Sequence, residues 1–478
     1  MAIRFKLVTP PDPEEAEERL AAAENENRAL KEQARALDEL LQRAREKLRL
    51  AKRKQNEARH YRSLLHDLRS RWYLRPFIPS HKLQPPKRDF ADCWVYRGPR
   101  FDQPSAGRRR VLVVGHLLSS TLFGSERSLL EIIAAIDPEK FDVFAAFPER
   151  NEKVFAALRS QVQGTAVFDY FWWRKDRPFD EETVALFEEI CRQRAIDLVH
   201  VNTIMLSEPQ VAARRVGIPA ITNARELISQ DADLTARLGG DAPELARIVC
   251  ENTSYLLANS AATLADYPCG AKGSFLYNSV DGIAFDLPPR VASGQIHVGL
   301  ISSNILKKGV LDFLELARAA ETRLPGLQFH LIGPESPLTR DWRENSEQLP
   351  ANFHLRGHVI DPPDAYRDLD VVVNLSRFAE SFGRTVAEAM VSRRPVIAYR
   401  HGALPELIDD GETGFLVPFL DLPAVLDRLR FFDEHPEKIA AFGERARQRS
   451  LARFSRDVFA QQIHVLYEKL ISKASWRP

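Results

Sequence analysis

Three clusters of residues in this chain have the types and spacing to hold a phosphorylated ligand. Lys307 and Lys308 stand at the start of a helical stretch, GVLDFLELARAA. Two cations there oppose the helix dipole by about 0.3 to 1 kcal/mol each, a sign that a bound diphosphate would reverse. ESFGRTVAEAM follows the apolar run DVVVNLS directly, with Glu380 and Glu388 eight positions apart, one on the loop and one inside the helix. Gly383 lets the backbone come close to a ligand, and the helix that begins there offers free N–H donors. Carboxylates repel phosphate, so these two suit the sugar and ribose hydroxyls that flank it. In LLSSTLFGSERSLLEII, the small residues Ser119, Ser120, Thr121, Gly124 and Ser125 lie between a strand and a helix, where orphan N–H groups can face an anion. Each cluster also has a structural reading: a serine-capped turn, two solvated lysines, and Glu388 as an i,i+4 partner of Arg384. The dinucleotide fingerprint GxGxxG is absent.

The elements that must position these clusters are short β-branched runs alternating with amphipathic helices. Strands are expected at residues 110–115, 141–147, 197–201, 219–222 and 255–259, and the pattern restarts at 296–301, 327–333, 370–375 and 395–399. Proline and glycine cluster between the two sets, at residues 281–294. This is α/β texture, with two doubly wound parallel domains facing a cleft at the carboxyl ends of their strands.

The 478 residues exceed one ordinary domain, and 44% hydrophobic content supports real cores. With 67 basic and 66 acidic residues the net charge is +1, which excludes a supercharged nucleic-acid binder. The charge is unevenly placed: residues 1–40 carry −4 and residues 41–110 carry +14, leaving −9 on the body. Between Pro13 and Arg71 no glycine or proline occurs, and a seam of Leu20, Ala23, Asn27, Leu30, Ala34, Leu37, Leu41, Ala44, Leu48 and Ala51 has heptad spacing. It reads as a coiled coil joining copies of the chain over residues 16–68, or else as a helical hairpin or a helix lying on the body.

Residues 71–109 mix proline, arginine and aromatics without periodicity and read as an irregular linker. Its Trp72, Tyr73, Phe77, Phe90, Trp94 and Tyr96, with the basic residues of 41–110, suit an anionic membrane surface, or else pack on the body. No fold motif supports a nucleic-acid role for this stretch. Cys93, Cys191, Cys250 and Cys269 form no CxxC pair, which argues against a disulfide scaffold or a zinc site and favours a reducing cytosol. No basic start with an apolar core and no stretch of about 20 apolar residues is present. The expected location is cytoplasmic, with room for peripheral contact at the inner membrane face.

Taken in order, the motifs resemble those of retaining glycosyltransferase family 4, whose members have the GT-B fold of two Rossmann-like domains. ESFGRTVAE is similar to the family's E-x7-E signature, HGALPELIDDGETGFLV to its GGxPELI loop, and LKKG to its donor-binding lysine motif. FGSERSLLEI, LVHVNT, NAREL and YNSVD resemble further segments, and together they span roughly residues 110–455. The implied layout is a helix over 1–70, a linker over 71–109, an acceptor-side domain over 110–290 and a nucleotide-sugar domain over 291–455. A last helix, 456–478, then returns toward the first domain.

The resemblance also implies roles. Lys308 contacts the donor diphosphate and Glu380 the sugar hydroxyls, the two counted as catalytic, while Glu388 takes the ribose. Lys307, Ser381, Phe382, Gly383, Arg384 and Thr385 line the donor, and Gly124 makes room for the diphosphate from the other domain. Ser303 stands where the family has an arginine, with Arg384 or Lys307 as replacements, and Arg394 stands for a common glycine as a surface change. His116, His200, Asn202, Arg225 and Glu226 are acceptor-side candidates. The donor is a nucleotide diphosphate sugar of UDP or GDP type, with no metal expected and a glycan or lipid-linked acceptor. A GT-B sugar epimerase and a scaffold acting through its coiled coil are the alternatives.

Overall fold

The computed structural model describes residues 93–103, 107–116, 124–290 and 294–474. The heptad seam, most of the basic segment, and Ser119, Ser120 and Thr121 lie outside them.

Eight strands make the first sheet: β1 (Trp94–Arg97), β2 (Arg109–Val114), β3 (Phe141–Phe147), β4 (Gly164–Val167), β5 (Leu198–Val201), β6 (Ala220–Ala224), β7 (Tyr255–Ala258) and β8 (Gly273–Phe275). Their spatial order is β1-β4-β3-β2-β5-β6-β7-β8, parallel except for β1, which runs antiparallel to β4. Between these strands run α1 (Gly124–Ala135), α2 (Glu152–Leu158), α3 (Glu181–Gln193), α4 (Glu208–Arg215), α5 (Ala232–Leu238), α6 (Ala242–Asn252) and α7 (Ala261–Ala265). Leu129, Ile132 and Ile133 of α1 cover one face of the sheet, and Val184, Phe187 and Ile190 of α3 cover the other. Their three- and four-residue spacing turns each apolar stripe toward the strands.

The second sheet is wholly parallel, in the order β11-β10-β9-β12-β13-β14. Its strands are β9 (Ile296–Ile301), β10 (Leu327–Ile332), β11 (Phe353–Gly357), β12 (Val371–Asn374), β13 (Val396–Tyr399) and β14 (Gly414–Val417). The helices are α8 (Val310–Arg323), α9 (Pro337–Glu344), α10 (Asp364–Arg367), α11 (Arg384–Val391), α12 (Leu404–Leu407), α13 (Leu422–Glu434), α14 (Glu437–Phe454) and α15 (Arg456–Ala474). The last of these packs on the first sheet through Phe459, Ile463, Leu466, Tyr467, Leu470 and Ile471.

Four features differ from the sequence-based expectations. Trp94 and Tyr96 belong to strand β1 rather than to an irregular linker: Trp94 is buried against Phe101 and Phe144, and the Tyr96 hydroxyl donates to Arg159 O at 2.8 Å. A sheet edge at β4 was available to pair, and a four-residue strand is too short to show periodicity. Cys250 and Cys269 form a disulfide, which removes the inference from cysteine spacing to a reducing compartment. Arg394 has no exposed surface. Its guanidinium donates to the carbonyls of Tyr366, Pro288, Ser392, Arg393 and Arg367, so it is a core brace and not a surface change. Finally, β4, β8, β11 and β14 are strands of three to five residues that periodicity did not mark.

Candidate functional site

In the second sheet the strand order reverses between β9 and β12, so the loops after those two strands diverge and open a crevice. Lys308 comes from the first loop and Glu380 from the second. Their side chains meet, with Nζ 2.7 Å from Oε1 and 23% and 15% of each exposed. The fold brings them together by a close backbone approach. Gly309, at φ +75°, starts α8, and a Cβ on it would stand 1.9 Å from Leu375 O. No L side chain fits there. The Arg377 N–H donates to Lys307 O at 2.9 Å, and Arg377 pairs with buried Asp312 of α8, which holds the two loops in register. Phe378 lies under both lysine ammonium groups, at 4.8 and 4.3 Å from its ring centre, so Lys307 and Lys308 are not simply solvated.

At the start of α11, Gly383 has φ +88°, and a Cβ there would strike Leu404 Cδ2 at 2.5 Å. Phe382 is buried beside it, Ser381 bonds Asn259 and Thr263 of the first domain, and Thr385 O lies 3.2 Å from the Tyr366 hydroxyl oxygen. Arg384 does not stand free for a diphosphate. It forms a forked ion pair with Glu131 of α1, at 2.7 and 2.8 Å. Glu388 in turn is held by Arg127 of α1 at 2.6 Å and by the Tyr366 hydroxyl at 2.9 Å, while Arg384 is 4.0 Å away. The i,i+4 pairing read as the structural alternative persists at 4.0 Å, and shorter bonds are exchanged between helices of the two domains. The repeated spacing Arg-x3-Glu in GSERSLLEI and GRTVAEAM was the available signal, but it cannot say which arginine meets which glutamate.

Ser303 is half-buried, and Asn304 beside it takes φ +55° with its amide donating to Pro334 O at 3.1 Å. A serine thus stands where the resemblance implied a cation, and the neighbouring Asn304 shapes the loop. Gly124 begins α1 as backbone only.

On the first domain, Asn202, Arg225 and Glu226 follow the carboxyl ends of β5 and β6. Arg225 donates to Asn202 Oδ1 at 3.2 Å, and Glu226 Oε2 accepts the Arg225 N–H at 3.1 Å. Desolvation pushes the Glu226 carboxyl up to about 7, with Arg225 opposing. His116 is buried with its ring centre 6.5 Å from that of Trp172. His200 departs from its acceptor-side assignment: it lies wholly inside, bonded to the Tyr467 hydroxyl of α15 and, at 2.9 Å, to Asn223. Burial holds it down to about 4. Among the described residues no group of three or more His, Cys, Asp or Glu is arranged to hold a metal ion.

Two parallel-sheet domains with their loops converging at the switch point define the GT-B fold. The same fold is seen in HepE of Anabaena solved with UDP-glucose, at a TM-score of 0.61 and 20% identity over 76% of this chain and 100% of that one. Residues 295–431 match the family described as glycosyl transferases group 1. Two curated relatives match in sequence: a trehalose synthase of Pyrococcus horikoshii, 30% identical over 30% of this chain and 36% of its own, and a poly(ribitol-phosphate) alpha-N-acetylglucosaminyltransferase of Staphylococcus aureus, 26% identical over 33% and 32%. The chain thus spans about a third of the length of these relatives.

Proposed function

We propose that this protein is a glycosyltransferase that moves a hexose-type sugar from a nucleotide diphosphate donor to a hydroxyl of a glycan or glycolipid, with retention of configuration. The observation that carries this reading is the meeting of Lys308 and Glu380 at the switch point of the group 1 domain, 2.7 Å apart. A donor separates the pair. Lys308 then faces the diphosphate, and Glu380 accepts hydrogen bonds from the sugar hydroxyls. Charge grows on the leaving diphosphate in the transition state, and a lysine together with the N–H groups at the start of α11 stabilises it without reorganising. Attack comes from the face the leaving group departs, with the phosphate accepting the acceptor's proton, so no enzyme nucleophile is required. Asn202, Arg225 and Glu226 border the acceptor. HepE's bound UDP-glucose favours a uridine donor, and the ribitol-phosphate polymer named for the staphylococcal relative favours a surface-polymer acceptor. Residues 16–68 join copies of the chain, and the basic segment 41–110 touches an anionic membrane from the cytoplasmic side.

The test is a calorimetric titration of UDP-, GDP-, dTDP- and ADP-sugars into the wild type, Lys308→Ala and Glu380→Gln, each checked by thermal melting. Selective binding by the wild type, lost in Lys308→Ala, is the expected result, with transfer greatly slowed in both variants. Turnover near wild type in both would refute the assignment. Deleting residues 1–70 is expected to leave a folded monomer by light scattering.

A further inference from the structure

We infer that Arg127, reaching from the first domain, is a positioning residue for Glu388 and prepares its carboxylate for a vicinal diol. This rests on the proposed nucleotide-sugar site, with Glu388 receiving the donor's ribose as the family resemblance implies. Both carboxylate oxygens already have one partner: Arg127 Nη2 donates to Oε1 at 2.6 Å, and the Tyr366 hydroxyl donates to Oε2 at 2.9 Å. A carboxylate oxygen accepts two hydrogen bonds, so each keeps one free lone pair. Two adjacent acceptors with fixed direction match the 2′- and 3′-hydroxyls of an intact ribose.

Glu388 has 3% of its side chain exposed and Arg127 has 25%, so the glutamate is fixed in the second domain while the arginine arrives from the cleft side. Among the described residues the other cation beside Glu388 is held elsewhere. Arg384 stands 4.0 Å from Oε1, and both its terminal nitrogens are committed to Glu131. That second ion pair braces α1 against α11 and keeps Arg127 within reach. Ribose recognition therefore draws on both domains.

The experiment measures UDP and 2′-deoxy-UDP binding by calorimetry to the wild type, Arg127→Met and Arg127→Lys, with GDP and 2′-deoxy-GDP as a second pair. Without Arg127 the carboxylate must be ordered on binding, which predicts UDP binding about tenfold weaker in Arg127→Met. Binding of 2′-deoxy-UDP, which keeps only the 3′-hydroxyl contact, is expected to weaken by clearly less than that of UDP, and Arg127→Lys to recover part of the loss. Equal weakening of both nucleotides, or no change in either, would overturn the inference, because a merely structural arginine or one bonded to phosphate cannot sense the 2′-hydroxyl. Arg127→Gln replaces the Met variant if that one melts early. A wild type that binds nucleotides but ignores the 2′-hydroxyl defeats this inference alone. One that binds neither UDP nor GDP defeats the proposed function, and the inference with it.

Discussion

Arg394 shows how much one buried side chain can organise. Its guanidinium donates to carbonyls on the segment before β9 (Pro288), on α10 (Tyr366, Arg367), and on its own turn (Ser392, Arg393). Of those acceptors, the Tyr366 and Ser392 carbonyls are buried. Desolvation holds this guanidinium down to about 10, which still leaves it charged at neutral pH. Arg394→Met is expected to cost about 2 to 4 kcal/mol in urea denaturation, since it leaves the two buried carbonyls, Tyr366 O and Ser392 O, unpaired. A cost under about 1 kcal/mol would mean that water fills the space.

At the scale of elements, two devices fix the site. The first is the contact of Gly309 with Leu375 O, which sets the β9 and β12 loops against each other and so sets the distance between Lys308 and Glu380. Gly309→Ala forces these backbones apart, and about 3 kcal/mol or more of stability is expected to go in chemical denaturation, together with nucleotide binding. Intact binding in a stable Ala variant would show that the loops are positioned by Arg377 and Asp312 instead. The second is the Cys250–Cys269 disulfide, which ties the end of α6 to the segment past α7 across 19 residues of sequence. It also fixes Tyr267, whose hydroxyl donates to Glu226 O at 3.0 Å. Closing a loop of this length stabilises by about 3 kcal/mol, so Cys250→Ser is expected to lower the melting temperature by several degrees. An unchanged melting curve under dithiothreitol would contradict this.

At the scale of the whole molecule, α15 returns the chain from the second domain to the first sheet, and His200 receives it. His200 is held neutral by burial, with Arg225 adding to the shift and the Asn223 hydrogen bond opposing it. Its folded value of about 4 lies below the ordinary 6.5, so the unfolded chain binds a proton that the folded chain refuses. The contribution is therefore complete above pH 6.5 and is lost as pH falls from there toward 4, by on the order of 3 kcal/mol. Urea midpoints across that window in the wild type and His200→Gln measure it. An equal slope in both would place the acid sensitivity elsewhere.

The amino-acid sequence by itself determined the α/β class and most strands, because apolar runs such as FDVFAAF and IHVGLI are local signals that burial on both faces imposes on a parallel sheet. It also marked Lys308, Glu380, Gly383 and Glu388 as the residues to watch, since loop chemistry and helix starts are written in short motifs. Only the tertiary structure decided partners. That Glu388 meets Arg127 more closely than Arg384, that His200 bonds Tyr467 of α15, that Cys250 reaches Cys269, and that Arg394 lies inside all depend on segments far apart in the chain. A side chain's type fixes what bonds it can form. Which of the available partners it finds depends on how the helices and sheets pack, and spacing along the chain carries no record of that.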